Sequence, residues 1–123
     1  MKIGDIITWQ RLFTEEDIRL FGRVSGDEGI HHIQTDERGR LMAQGLLTAT
    51  LPTKIGGDLN FITREMTFRF LRPVYAGDTI ECRVTITDIR EERGIVNVYS
   101  EWLCRNQRGK EVMSGHAAGI IGR

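Results

Sequence analysis

The chain has 123 residues, 40% of them hydrophobic and 28% charged, which suits one domain with a core of its own. Its 17 basic side chains balance 17 acidic ones, so no net positive field exists that would hold nucleic acid. No apolar stretch approaches the roughly 20 residues of a membrane-spanning helix, and the N-terminus lacks a signal-peptide core. We therefore expect a single domain over residues 1–123, soluble and cytoplasmic, with neither nucleic acid nor membrane as a partner.

The cysteines and histidines do not have the spacing of a metal or redox site. Cys82 and Cys104 lie in strand-like sequence with no CxxC pattern, so we expect small buried hydrophobic residues in a reducing compartment. His31 and His32 are adjacent, and adjacent side chains usually point apart. We expect no metal and no cofactor.

The N-terminal part predicts a short strand around residues 6–10 and then a helix. Thr14 and Asp17 have the spacing of a capping box at the start of that helix. An apolar stripe would follow on one helix face, formed by Ile18, Phe21 and Val24. Gly26 should end the helix.

A loop and a second helix are predicted next. Residues 27–40 are charged and have no steady period, which is typical of a loop. Residues 41–55 are compatible with a helix that is apolar on all sides and therefore buried. Pro52 should kink this helix or mark its last turns, and Gly56 and Gly57 should stop it.

Apolar residues fall on alternate positions through three successive segments of the second half. They are Met66, Phe68 and Phe70, then Ile80, Cys82, Val84 and Ile86, then Val96, Val98, Trp102 and Cys104. A period of two predicts half-buried antiparallel strands, and the short turn-forming links between them predict a meander of hairpins. A last strand, Glu111–Ile121, is rich in Gly and Ala, so its face must lie close to something bulky.

These elements together predict an α+β fold in which a curved antiparallel sheet of about five strands wraps a long central helix. A sheet of this kind still has edges. Edge pairing between two copies would continue the sheet, so we expect a homodimer or a higher homo-oligomer.

The segment S-G-D-E-G-I-H-H, residues 25–32, is the strongest candidate for chemistry. In a helix, Asp27 and His32 would lie about 140° apart, and in a strand they would face opposite sides. A loop can bring them together, and Gly26 and Gly29 supply the backbone freedom. A carboxylate and an imidazole that share a water molecule can act as general acid and base. The residues alone leave open that Asp27 caps a turn and the histidines are merely solvated.

Three stretches of the chain resemble the MaoC-like hotdog dehydratases, the family of (R)-specific enoyl-CoA hydratases. They are F-T-E-E-D-I-R-L-F-G-R-V-S-G-D-E-G-I-H-H, then Q-G-L-L at residues 44–47, and F-L-R-P-V-Y-A-G-D-T-I. The first keeps the family's spacing of Asp and His, whereas the last is shared by many hotdog proteins and indicates only the fold. Gly29 and Ile30 replace the family's Asn-Pro, and Gln44 replaces a His.

The resemblance implies a hotdog fold and an enzyme that hydrates trans-2-enoyl thioesters or dehydrates (R)-3-hydroxyacyl thioesters. The substrate would be an acyl-CoA or an acyl-carrier thioester. Asp27 and His32 would be catalytic, activating the water that adds at C3 and delivering a proton to C2. The N–H of Gly45 would bind the thioester oxygen at the start of the central helix. Expected neighbours of this site are Gly29, His31 and Gln44.

Three functions therefore stay open at this stage. The first is the hydro-lyase just described, which we favour. The second is a hotdog acyl-CoA thioesterase, in which the same residues direct water at the thioester carbonyl. The third is a non-catalytic protein that binds acyl thioesters. Gly45 likewise has a second explanation, since close packing of the helix against the sheet would also require a glycine.

Overall fold

A computed structural model describes residues 1–121. The elements in chain order are β1 (Ile6–Leu12), α1 (Glu15–Ser25), α2 (Ile30–Ile33), α3 (Gly45–Thr48), α4 (Thr50–Asp58), β2 (Phe61–Phe70), β3 (Thr79–Glu92), β4 (Ile95–Arg105) and β5 (Glu111–Ile121). The strands form one antiparallel sheet in the order β1-β3-β4-β5-β2. α4 packs against β1, β2 and β3, and the predicted α+β fold with five strands is confirmed.

The strand order corrects the predicted meander. β3 and β4 do form a hairpin, and its turn residues Arg93 and Gly94 have φ of 53° and 79°, as a two-residue type I′ turn requires. β2, however, pairs with β5 at the opposite side of the sheet from β1. The link between β2 and β3 is therefore a crossover. Its main chain is paired with the segment before α3, because Ala43 donates from its N–H to the Val74 carbonyl at 2.7 Å.

α1 begins and ends where the sequence predicts. The Thr14 hydroxyl accepts from the Asp17 N–H at 3.1 Å, and the Asp17 carboxylate accepts from the Thr14 N–H at 3.0 Å. The predicted stripe is wrong at Val24, which is 78% exposed. The predicted stripe has a spacing of three residues, and each such step rotates the side chain by about 60° away from the preceding one around the helix. The buried face instead includes Ile18 and Gly22, which are four residues apart.

The predicted loop at residues 27–40 contains one turn of helix, α2. His32 donates from its N–H to the Gly29 carbonyl at 2.8 Å, and Gln34 donates to Ile30 at 2.8 Å. Four residues are too few to display a helical period, so the pattern could not reveal this turn.

The central helix starts later and runs further than predicted. Residues 41–43 are extended, and Met42 forms a β-bridge with Tyr75. The helix begins at Gly45 and is interrupted at Ala49, three residues before Pro52, which cannot donate a main-chain hydrogen bond. Gly56 and Gly57 lie inside α4 rather than after it.

The burial of α4 is also one-sided. Leu51, Pro52 and Ile55 face the sheet, whereas Lys54 and Asp58 form an ion pair on the exposed side. The prediction of a helix buried on all sides is therefore wrong for this chain in isolation.

The core fills the space between the helices and the inner face of the sheet. Trp102 packs on Gly115, where a Cβ would lie 2.7 Å from the indole, so the predicted close approach of a bulky group to β5 is confirmed. Cys82 and Cys104 are fully buried free thiols opposite each other on β3 and β4, as predicted. The hydrogen bond with Cys104, together with burial, raises the pKa of the Cys82 thiol and keeps it protonated.

Within residues 1–121, no helix has the length and apolar character required to cross a membrane.

Candidate active site

Asp27 and His32 come together in the structure. α1 ends at Gly26, whose φ of 79° turns the chain, and Asp27 lies directly after this turn. α2 then presents His32 from the other side. The Oδ2 atom of Asp27 lies 3.6 Å from Nε2 of His32, and the side chains are 53% and 7% exposed, respectively. The two side chains therefore converge as expected from the sequence. Gly26 supplies the left-handed turn, but the expectation for Gly29 is wrong, because its φ of −54° is open to other residues as well.

The main chain fixes the tautomer of His32. Its Nδ1 lies 2.8 Å from the carbonyl oxygen of Met42. A carbonyl can only accept, so Nδ1 carries the proton and donates it. In the neutral imidazole the lone pair is therefore on Nε2, the atom that faces Asp27. This arrangement lets Nε2 act as a base towards a water molecule.

Both side chains line an open cleft of about 510 Å³. Its other walls are the start of the central helix, the end of β2 and the link that follows it. These walls include Gly45, Leu46, Phe70, Leu71 and Arg72. Arg72 is held at the rim, where its guanidinium donates to the Glu111 carbonyl at 2.7 Å.

Gly45 lines the same cleft, at the first position of α3. Among the hydrogen bonds of residues 1–121, none is donated by its N–H, which leaves that group available. A Cβ at this position would lie 2.8 Å from Cε1 of Phe70. Both explanations for the glycine, an accessible N–H and close packing, therefore have a counterpart in the structure.

The three expected neighbours of the site differ in their contacts. His31 is exposed at the cleft, and its ring centroid is 4.0 Å from that of His32 in a T-shaped arrangement. A Cβ on Gly29 would lie 3.2 Å from the His31 ring, so the glycine leaves room for it. Gln44 is 1% exposed and reaches Asp27 only through the main chain.

Sequence reasoning missed the Met42 carbonyl and the Phe70 ring. Every residue has a carbonyl, so no residue type marks the first. Phe70 was predicted on the buried face of a strand, but it is 54% exposed and stands at the cleft. Within residues 1–121, no three His, Cys, Asp or Glu side chains are grouped so as to hold a metal ion.

Comparison with known proteins identifies the family of this chain. The family model described as FAS1-like, dehydratase domain region, matches residues 5–115. The chain belongs to this family. The hydro-lyase class of enzyme, expected from the sequence, is thereby confirmed for this dehydratase domain.

Three relatives of the dehydratase domain have related activities in their names. The mitochondrial 3-hydroxyacyl-[acyl-carrier-protein] dehydratase of Arabidopsis thaliana is 27% identical, over 98% of this chain and 78% of that protein. The (R)-specific enoyl-CoA hydratase of Rhodospirillum rubrum is 27% identical, over 98% of this chain and 88% of that protein. The unliganded R-hydratase PhaJ1 of Pseudomonas aeruginosa superposes with a TM-score of 0.86 at 25% identity, covering 99% of this chain and 82% of that one. The hotdog fold is confirmed.

Proposed function

We propose that this chain adds water to trans-2-enoyl thioesters, or removes it from (R)-3-hydroxyacyl thioesters, with Asp27 and His32 as its acid–base pair. The observation that carries the proposal is the 3.6 Å separation of Asp27 Oδ2 and His32 Nε2 at the wall of an open cleft. The thioester substrate is supported by the relatives, one named for an acyl-carrier substrate and one for a CoA substrate.

The pair can hold and split one water molecule. Carboxylate and unprotonated Nε2 are both acceptors, so a water between them donates one hydrogen to each. As the water oxygen bonds to C3 of the enoyl group, one of its protons passes to the pair. The π electrons of the C2–C3 double bond move towards the thioester, and the pair then returns its proton to C2. One water is consumed, no proton is left over, and dehydration is the same sequence reversed.

The thioester oxygen gains negative charge during this step. The free N–H of Gly45, in the same cleft, is the group we assign to that oxygen. Such a donor typically contributes ~10²–10³ in rate, and the acid–base pair ~10²–10⁴. Both are therefore needed for an efficient hydratase.

One assay of the wild-type chain with crotonyl-CoA separates the three functions. We expect the enoyl absorbance to fall with no release of free thiol, which is hydration. Thiol release would identify a thioesterase instead. Saturable binding with neither change would identify an acyl-thioester-binding protein, and either of these results would reject the proposal.

The two adjacent histidines provide a matched pair of variants. His32→Ala removes Nε2, and we expect kcat/KM for hydration to fall by ~10²–10⁴. His31→Ala removes an exposed ring beside the site, and we expect a loss of less than about ten-fold. Thermal unfolding of both variants controls for folding. Two variants as active as the wild type would contradict the assignment of His32.

A homodimer is supported by surfaces of the isolated chain. β2 is an edge strand, and the apolar side chains near its end and on the adjoining helix are exposed: Leu46 by 58%, Phe70 by 54% and Leu71 by 44%. A reducing compartment, the cytoplasm, is supported by the two facing free thiols in the core.

A further inference from the structure

The side chain of Gln44 connects α1 to the turn that carries Asp27. Its Nε2 donates to the carbonyl of Ile18 at 2.9 Å and to the carbonyl of Asp27 at 3.3 Å. Two carbonyls can only accept, so the amide orientation is determined by these partners. Gln44 also directly precedes Gly45, so it connects the turn that carries Asp27 to the residue whose N–H we assign to the thioester oxygen.

This amide is not the side chain that stability alone would favour. Its Oε1 is buried and has no partner within residues 1–121. A buried acceptor without a donor costs free energy, which an apolar side chain of similar length would avoid. This cost indicates that the glutamine has a role other than stabilising the fold.

Gly22, which lies beside Gln44 and the Asp27 carbonyl, is a second residue that reduces stability. It is a buried glycine in the interior of α1, where alanine has the higher helix propensity. A Cβ there would lie 3.4 Å from the Asp27 carbonyl oxygen, 3.4 Å from Gln44 Nε2 and 3.3 Å from Glu28 Cγ. An added Cβ would therefore press on the Glu28 side chain and would meet the carbonyl and the amide at van der Waals distance.

The carboxylate of Asp27 needs such support, because its half-exposed side chain has little packing to hold it. The Asp27 N–H donates to Ser25 Oγ at 3.0 Å, and the Asp27 carbonyl accepts from Gln44. Both polar main-chain groups are thus anchored. The carboxylate itself accepts a long hydrogen bond from the Gly29 N–H, at 3.5 Å.

We propose that Gln44 is a positioning residue, which with Gly22 forms a cradle for the Asp27 main chain and so sets the carboxylate opposite His32. The inference rests on the proposed function and deepens it. A displacement of about 1 Å in a reacting group can cost ~10²-fold in rate, so a loosened Asp27 should reduce turnover more than substrate binding.

Gln44→Met tests the amide. The variant keeps the length of the side chain and removes both hydrogen bonds together with the unpaired Oε1. We expect kcat for crotonyl-CoA hydration to fall by ~10–100-fold, with KM within about two-fold and a melting temperature no lower than that of the wild type. Gln107→Met is the matched control and should keep kcat, because it removes a side-chain hydrogen bond to Asp78, and neither residue lines the cleft.

Gly22→Ala tests the cradle from the other side. Its gain in helix propensity should keep or raise the melting temperature, while the added Cβ, 3.3 Å from Glu28 Cγ, should push aside the side chain that follows Asp27 and so lower kcat. Gly57→Ala is the control, because Gly57 is helical, exposed and has nothing within 4 Å of the added Cβ. A wild-type kcat in both Gln44→Met and Gly22→Ala would overturn the inference. It would also be overturned if kcat fell only in proportion to a lower melting temperature.

A measurement without substrate separates this inference from the proposed function. If the wild-type chain does not hydrate crotonyl-CoA, the proposed function fails, and amide hydrogen exchange then decides the role of Gln44. We expect exchange at the Asp27 N–H to be faster in Gln44→Met and unchanged in Gln107→Met. Unchanged exchange in Gln44→Met would reject the positioning role.

Discussion

Gly45 makes room for the Phe70 ring, and its own N–H has no hydrogen-bond partner within residues 1–121, so a single substitution affects both roles. Gly45→Ala should lower the melting temperature, because its Cβ would meet the ring at 2.8 Å. Gly45→Ala/Phe70→Leu removes the ring that is in the way. We expect the double variant to regain stability but to hydrate crotonyl-CoA ~10–100-fold more slowly than Phe70→Leu alone, since the methyl group hinders approach to the N–H. Equal activity of these two would mean that Gly45 serves packing only.

At this scale the sequence predicted which side chains meet, but not how they are held. Asp27 and His32 could be brought together in advance because glycines flank the acid and no regular structure lets the two converge. The Met42 carbonyl that fixes the imidazole lies ten residues away and has no residue-type signature. Gln44 was predicted as a neighbour, yet its bonds to two carbonyls depend on how α1 packs.

At the scale of elements, the capping box of α1 gives a stability prediction that is independent of the site. Thr14→Ala removes the hydroxyl that accepts from the Asp17 N–H, and we expect the free energy of unfolding to fall by about 1 kcal/mol. The activity per folded molecule should stay the same, because Asp27 follows the other end of the helix. Thr14→Ser keeps a hydroxyl and is the control in urea unfolding. Equal losses in both variants would show that the cap contributes nothing.

Elements with strong local signals were predicted closely, and those that depend on distant contacts were not. β5 covers Glu111–Ile121 as expected, because its Gly- and Ala-rich sequence marks it directly. The segment at residues 41–43 was predicted as helix but pairs with the link before β3, a contact between distant parts of the chain. The same holds for β2, whose alternation predicts a strand but not which neighbour it pairs with.

At the scale of the molecule, the free edge of β2 predicts the oligomeric state. We expect the 14.0 kDa chain to migrate as at least a dimer in gel filtration. Ile62 lies on β2 and is 56% exposed, so Ile62→Lys should shift the protein towards the monomer. Ile3 lies outside this strand and is 60% exposed, so Ile3→Lys should leave the oligomeric state unchanged. A wild-type monomer, or equal effects of the two lysines, would contradict pairing through β2.

The overall fold was predictable because the strand segments alternate with a period of two, whereas the segment of the central helix is apolar without such alternation. The exposure of one side of α4 was not predicted, because the apolar residues of this segment do not form a single stripe in the sequence. The single domain over residues 1–123 stays a prediction.

The way in which the Met42 carbonyl holds the His32 ring has a stereochemical consequence. With Nδ1 permanently engaged, only Nε2 can exchange protons with a substrate, and it stands next to Asp27 at one wall of the cleft. A flat alkene bound against that wall receives oxygen and hydrogen from the same side, which is syn addition. In deuterium oxide, the product of crotonyl-CoA should therefore carry its C2 deuterium and its C3 hydroxyl on one face, and NMR coupling constants would reveal an anti product if the donors lay on opposite sides.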